Sequence, residues 1–334
     1  MKLSVAIPVY NEASTLPQLF AELRPILAGL DCDYELLFVN DGSVDGSLEI
    51  LKREAESDPR VKILEFSRNF GHQAALTAAL DFADGDALVL MDADLQDPPE
   101  LLPRMLALYR EGFDVVSPQR IARRGDSWFK RKTASLFYSM MRRLTEDRIP
   151  AEVGDFRLLS RAAVLAMRQL REQHRFVRGM VGWLGLREAL LPFERRPRAA
   201  GETKYSLWSM LRLSWTAITS FSAFPLRACM LAGFAASGLA LIYFFYAAFV
   251  YYRHSVVPGW TSIMFLQCLF FGMTLVSIGL VGQYVARIYD ESKSRPLYVL
   301  TRAINIDPER IQPERVVILP ERESGTPMHH ANRR

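Results

Sequence analysis

Hydrophobic positions follow two regimes along this chain. Up to about residue 118, short apolar, β-prone runs alternate with stretches whose apolar residues recur every three or four positions. The runs 3–7, 34–40, 61–66, 87–91 and 114–117 predict strands, and 15–27, 45–57, 72–83 and 99–110 predict helices. Strand, helix, strand at this spacing predicts an α/β domain with a mostly parallel sheet flanked by helices on both faces. Ligands of such sheets bind beyond the carboxyl ends of the strands, so the residues after each strand are the informative ones. Pro8, Tyr10, Asn11 and Glu12 follow the first strand, Asp41, Gly42, Ser43 and Asp45 the second, Arg68 and Asn69 the third, and Asp92, Asp94 and Gln96 the fourth. Four consecutive strands thus end in polar, mostly acidic groups on one edge.

The second regime is uncharged. No Asp, Glu, Lys or Arg occurs between Arg227 and Arg253, nor between Arg253 and Arg287. A bilayer crossing needs about 20 apolar residues, so 228–252 and 261–286 predict two membrane spans joined by a short link into a hairpin. Arg212 and Arg227 on one outer flank, and Arg287, Lys293, Arg295 and Arg302 on the other, outnumber the single Arg253 of the link. The positive-inside bias then puts both outer flanks, the preceding domain and both termini on the cytosolic side of an inner membrane. Tyr251, Tyr252, Trp260 and Tyr289 fit interface anchors. Before the first span, Leu207, Trp208, Leu211, Trp215, Ile218 and Phe221 form a helical stripe. That stripe fits a helix lying on the membrane or packed on the preceding domain. The expected organisation is a cytosolic domain over 1–203, an amphipathic helix over 204–225, the spans within 226–287, and a cytosolic tail over 288–334 that is largely disordered at its end.

Composition narrows the function classes. The net charge of +4 over 334 residues is too mild for a nucleic-acid binder, and Cys32, Cys229 and Cys268 stand at no metal-ligand or disulfide spacing. The start of the chain runs straight into Pro8 and Asn11 without a signal peptide's basic start and longer apolar core, so a folded domain is expected from the first residues. Asp92 and Asp94 stand two apart after a buried strand, where both can converge on one hard cation. Oxygen-only ligands suit Mg²⁺ or Mn²⁺, ions that also hold substrate phosphates. The chain lacks both G-x-x-x-x-G-K-[ST] and G-x-G-x-x-G, so any nucleotide is held without those phosphate-cradling loops. His72 fits the start of a helix better than a catalytic base.

Five segments together carry a resemblance. Pro8-Val9-Tyr10-Asn11-Glu12, Asn40-Asp41-Gly42-Ser43, Ser67-Arg68-Asn69-Phe70-Gly71, the Asp92 to Gln96 segment and Gly154-Asp155-Phe156-Arg157 stand in the order found in family 2 glycosyltransferases of the inverting GT-A fold. With the hairpin, the chain resembles more narrowly the polyprenyl-phosphate hexosyltransferases, the group of dolichyl-phosphate mannose synthase and bactoprenol glucosyltransferase. The resemblance covers roughly residues 1–300. It implies that Pro8, Tyr10, Glu12 and Asp41 hold the base and ribose of a nucleotide-sugar, that Asp92, Asp94 and Gln96 engage Mg²⁺ or Mn²⁺ and the diphosphate, and that Asp155, with Asp94, is catalytic. Lys204 matches a loop that closes on the diphosphate. The acceptor of that family is a polyprenyl phosphate, already ionised near neutral pH, so positioning and charge neutralisation matter more than a strong base. Arg120, Arg123, Arg124, Lys130, Arg131 and Lys132 form a basic run beside the apolar face of an expected interface helix at about 127–144. Arg120, Arg131 and Arg124 are the expected lipid-phosphate binders.

The implied activity is transfer of a single hexose, favoured as glucose from UDP-glucose, to undecaprenyl phosphate. GDP-mannose, UDP-N-acetylhexosamine and UDP-aminoarabinose donors remain open, because no residue separates them on physical grounds. A processive polysaccharide synthase is disfavoured by the lack of a Q-x-x-R-W run, and a channel by the lack of charged residues within the spans. A non-catalytic membrane scaffold with a retained fold is the rival from another class. A homo-oligomer is expected, as is common in that family.

Overall fold

The computed structural model describes residues 1–120, 153–193, 224–253, 259–307 and 317–318. They divide into two units, one drawn from Met1–Tyr138, Arg148–Lys204 and Arg295–Arg334, the other from Ser139–Asp147 and Tyr205–Ser294.

The first unit is built on one sheet. Strands β1 (Lys2–Val9), β2 (Asp33–Asn40), β3 (Val61–Phe66) and β4 (Ala87–Leu90) are mutually parallel. β1 is buried at seven of its eight positions, as a strand covered on both faces must be. Helices α1 (Leu16–Ala28), α2 (Ser47–Ser57) and α4 (Leu102–Arg110) cover one face, and α3 (His72–Phe82), α5 (Arg161–Gln169) and α6 (Val177–Leu184) the other. The i, i+3, i+4 spacing of Leu16, Leu19, Phe20, Leu23 and Leu27 turns one side of α1 onto Val5, Ile7, Leu36 and Phe38. Each such buried leucine contributes about 1.5–3 kcal/mol. α3 is anchored at its far end, where Arg168 donates to the Leu80 carbonyl at 2.6 Å and the Ala83 carbonyl at 2.8 Å, satisfying its last turn and fixing where its first turn lies.

Two features depart from the expected sheet. β5 (Val115–Arg120) does not adjoin β4; β6 (Arg157–Ser160) lies between them, antiparallel to both, and β7 (Glu188–Phe193) then pairs parallel with β5. Among the described residues the order is β7-β5-β6-β4-β1-β2-β3-β8-β9. The antiparallel insertion has a functional consequence: β6 begins where its neighbours end. The second departure concerns the expected tail. Its part β8 (Val299–Ile304) pairs antiparallel with β3, followed by the short β9 (Val317–Ile318). The apolar run Leu297-Tyr298-Val299-Leu300 drives this docking, and the Pro- and charge-rich composition farther along masks it in the sequence. Tyr298 stacks on Phe66 at 5.1 Å and donates from its hydroxyl to Asp81 at 2.7 Å. The end of the tail lies outside the described residues.

The second unit consists of α7 (Phe224–Tyr252) and α8 (Trp260–Ser292). Within them, Pro225–Ala247 and Phe265–Ser292 are long and apolar enough to cross a membrane, and almost none of those windows is buried. The two helices contain the expected runs 228–252 and 261–286 and continue a few residues beyond them. Of the residues expected as interface anchors, Tyr252 and Tyr289 are exposed, and the side chains of Tyr251 and Trp260 lie outside the described residues. The expected interface helix at 127–144, nearly all of the amphipathic helix at 204–225, and Arg124, Arg131 and Lys204 lie outside them too.

Candidate active site at the carboxyl edge of the sheet

The parallel strands β1 to β4 deliver their following loops to one edge, and the antiparallel β6 brings the residues before it to the same place. Asp155 therefore joins the groups that follow β1, β2, β3 and β4.

The loops after β1 and β2 are laced together. The backbone N–H of Asn11 donates to Ser43 Oγ at 3.0 Å, that of Val44 to Asn11 Oδ1 at 2.9 Å, that of Glu12 to Ser47 Oγ at 2.9 Å and that of Ala13 to Asp45 Oδ2 at 3.0 Å. Asn11 takes a left-handed conformation, which asparagine tolerates better than most residues. Glu12 accepts from the Thr15 hydroxyl at 2.7 Å. Pro8 is buried near the end of β1, whereas Tyr10 stands out from it, 47% exposed.

Asp41 is only 3% exposed, and its two oxygens accept the backbone N–H groups of Phe70 at 2.7 Å and Gly71 at 3.0 Å. Burial pushes its carboxyl above the ordinary value, against those two donors. The carboxylate expected to hold a nucleotide thus braces the loop after β3. Gly42 permits the close approach: its φ is +66°, and a Cβ there would stand 2.5 Å from the Arg68 carbonyl carbon. Arg68 lies over the Phe70 ring at 4.0 Å.

The braced loop leads into α3, whose first residue is His72. Its Nε2 stands 3.3 Å from Asp155 Oδ2 and 3.8 Å from Asp92 Oδ1. Arg178, on α6, grips Asp155 with a two-point fork, Nε to Oδ1 and Nη2 to Oδ2, both at 2.8 Å. Burial alone would raise the Asp155 carboxyl; the hydrogen bonds from His72 and Arg178 outweigh it and hold Asp155 well below the usual carboxylate range. Burial likewise opposes charge on His72, yet the Asp155 hydrogen bond and the nearby Asp92 charge raise it above its ordinary value. Asp92 is raised by desolvation and by the Asp155 and Asp94 charges, with His72 opposing.

The segment after β4 is locally strained. Leu95 is a buried leucine with φ of +59°, and Asp94 Oδ1 accepts the Gln96 N–H at 3.1 Å. The Gln96 Oε1 atom is buried with no hydrogen-bond partner. Among the described residues no group of three or more His, Cys, Asp or Glu side chains is placed to hold a metal ion. Two carboxylates and an orphaned amide oxygen nevertheless fit Mg²⁺ or Mn²⁺, which complete their shells with water and substrate phosphates.

Arg120, at the end of β5, also reaches this edge. Its Nη2 would stand 3.0 Å from a Cβ at Gly154, so the glycine before Asp155 makes room for the guanidinium. The fully buried Arg157 donates to the Gly154 carbonyl at 2.8 Å, and neither its Nε nor that of Arg120 has a partner. Arg178 and Arg157 carry no role expected from the sequence, and His72 is expected there only as the start of a helix. Nothing in the sequence signals that Arg178, in a different element, meets Asp155.

Residues 4–167 match the family described as Glycosyl transferase family 2. The chain is 44% identical over 309 residues to the uncharacterized glycosyltransferase YkcC of Bacillus subtilis (strain 168), covering 92% of this chain and 96% of that protein. It is 38% identical over 304 residues to the bactoprenol glucosyl transferase of Shigella phage SfV, covering 90% and 98%. Among solved structures, glucosyl-3-phosphoglycerate synthase from Mycobacterium tuberculosis aligns with a TM-score of 0.49 and 17% identity over 66% of this chain and 80% of that one. The long, near end-to-end identity to these glycosyltransferases shows that the chain belongs to glycosyltransferase family 2.

Proposed function

We propose that this glycosyltransferase moves one hexose, glucose from UDP-glucose, onto a polyprenyl phosphate at the cytosolic face of an inner membrane, inverting the anomeric centre. The observation that carries this is the 38% identity to a bactoprenol glucosyl transferase over 304 residues. A match of that length in a chain of 334 takes in both long apolar helices as well as the sheet. In this reading the chain crosses the membrane twice, with the catalytic unit and both termini in the cytosol.

The chemistry is one displacement. A lipid-phosphate oxygen bonds to the anomeric carbon as the bond from that carbon to the diphosphate oxygen breaks, and the electron pair leaves with the nucleoside diphosphate. Pro8, Tyr10 and Glu12 of the laced loops, with Asp41, would receive the base and ribose. Asp92, Asp94 and Gln96 would hold Mg²⁺ or Mn²⁺, which offsets charge developing on the leaving diphosphate. Asp155 stands at the reacting centre. Arg120, with Arg124 and Arg131, would attract the lipid phosphate, and Lys204 would close on the diphosphate.

A radiolabel assay tests the proposal: full-length protein in detergent, undecaprenyl phosphate, Mn²⁺ or Mg²⁺, and a panel of labelled UDP- and GDP-sugars, scored for organic-extractable label. The expected result is label from UDP-glucose, lost on adding EDTA. Label from another donor would reassign the sugar. No label from any donor, despite nucleotide-sugar binding, would favour the non-catalytic scaffold.

A further inference from the structure

Asp155 lies between two helices that are tied to each other independently of it. His72, the first residue of α3, and Arg178, the second of α6, converge on its carboxylate at 3.3 Å and 2.8 Å. Their chain neighbours bond directly, Gln73 Oε1 accepting the backbone N–H of Val177 at 2.9 Å. α3 is fixed from behind by the Arg168 contacts to its last carbonyls, and α6 by the buried Val177, Met180 and Val181. The fork is therefore presented from a rigid frame. A planar guanidinium bound at two points sets the rotation of a carboxylate as well as its distance, whereas a single contact sets the distance alone. Asp155 is 7% exposed, so solvent supplies little that could replace the fork.

We propose that Arg178 is a positioning residue for the transfer: its two-point fork holds the Asp155 carboxylate in one orientation, and its effect on rate passes through Asp155. The proposal rests on the transferase function above, with Asp155 at the reacting centre. The same ion pair kept only for cohesion would move stability and leave the kinetics of folded enzyme untouched.

The test uses full-length protein in detergent, the transfer assay, and the variants Arg178→Ala, Arg178→Lys, Asp155→Asn and Arg178→Ala with Asp155→Asn. Misplacing a reacting group by about 1 Å costs about 10²-fold in rate. Arg178→Ala is therefore expected to lower kcat by about 10²-fold with KM for the nucleotide-sugar unchanged. Arg178→Lys, which keeps charge without the fork, recovers only part of the rate. Added guanidinium ion restores turnover to Arg178→Ala and does not stimulate the wild type. The double variant is no slower than Asp155→Asn alone, as expected when one residue acts through the other.

Unchanged kcat in Arg178→Ala, a rise in donor KM in place of the fall in kcat, or an equal loss from Arg178→Ala in the Asp155→Asn background would each overturn the proposal. If Arg178→Ala does not fold, Arg178→Lys decides by the same split between kcat and KM. Wild-type protein without transfer activity would remove the transferase function and this inference with it; active wild type with an equally active, folded Arg178→Ala would remove this inference alone.

Discussion

The two edges of the sheet carry similar chemistry and use it differently. At the amino edge, Glu35 is 1% exposed and its oxygens accept from Ser4 Oγ at 2.6 Å, the Asp84 N–H at 2.8 Å, Lys2 Nζ at 2.7 Å and Lys62 Nζ at 2.8 Å. Every oxygen is doubly engaged. Burial would raise the Glu35 carboxyl, but these donors hold it below its ordinary value. At the carboxyl edge Asp155 is gripped as firmly, yet beside it Asp92 is 34% exposed at its side chain, with the His72 nitrogen 3.8 Å away, and its carboxyl is raised. Gln96 Oε1 has no partner, and Leu95 sits in a left-handed conformation. Saturated polar clusters hold a fold together; a cluster that stops short of saturation next to strained backbone is built for something that arrives later.

The contrast is broken most severely at Asp94. Asp94→Asn removes a charge from the proposed cation site at a partly exposed position, so transfer should fall by about 10³-fold while the melting temperature stays at the wild-type value. Wild-type turnover would refute the metal role of the acidic pair. Glu35→Gln should do the reverse, leaving kcat of the folded enzyme intact and costing about 3 kcal/mol of stability, since a buried ionic network loses its centre. A thermal melt paired with the transfer assay reads both outcomes.

Acid sharpens the second result. The Glu35 carboxyl is lower in the folded protein than in the unfolded chain, so its stabilisation is present above the unfolded value of about 4.3 and is lost as pH falls through the folded value. The gap in melting temperature between wild type and Glu35→Gln should therefore be full at pH 7 and close as pH drops below about 4. A gap that persists unchanged into stronger acid would show that the loss is one of packing. The smallest effect is expected at Tyr298→Phe, which deletes the hydroxyl bonded to Asp81 while Arg171 still holds that carboxylate at 2.9 Å. A loss of about 1 kcal/mol with unchanged kcat would match a hydroxyl that only docks β8.

The parts of the fold that were legible from sequence are those with a clear apolar pattern. β1 to β5 and α1 to α4 fall within a few residues of the expected runs, because the strands are short continuous apolar runs and the helices repeat their apolar positions every three to four residues. β6 and β7 were not foreseen: β6 is Arg157-Leu158-Leu159-Ser160, buried at all four positions although only two of them are apolar, so it leaves no apolar run to read. β8 was hidden by averaging its apolar residues into the polar tail that follows. The site divides in the same way. The acidic groups after the strands are local in sequence, so their shared edge follows from a parallel sheet. The meeting of Arg178 with Asp155 is not local. It depends on the inserted β6 and the placement of α6, and the intervening sequence carries no sign of either. Asp41 stood in the expected segment, but composition could not reveal that its oxygens also accept the Phe70 and Gly71 amides.

The return of the chain to the sheet after its two long helices bears on biosynthesis. β8 emerges from the ribosome only after α7 and α8 have been made, so until then β3 is an open edge and the slot beside Phe66 that Tyr298 fills is vacant. Ending the polypeptide before the helices would not release a self-sufficient soluble domain; it would leave a bare strand able to pair with a second copy. Maturation of the catalytic unit thus waits on synthesis of the apolar hairpin, and a protein halted between the two would be recognisable to quality control by that uncovered edge.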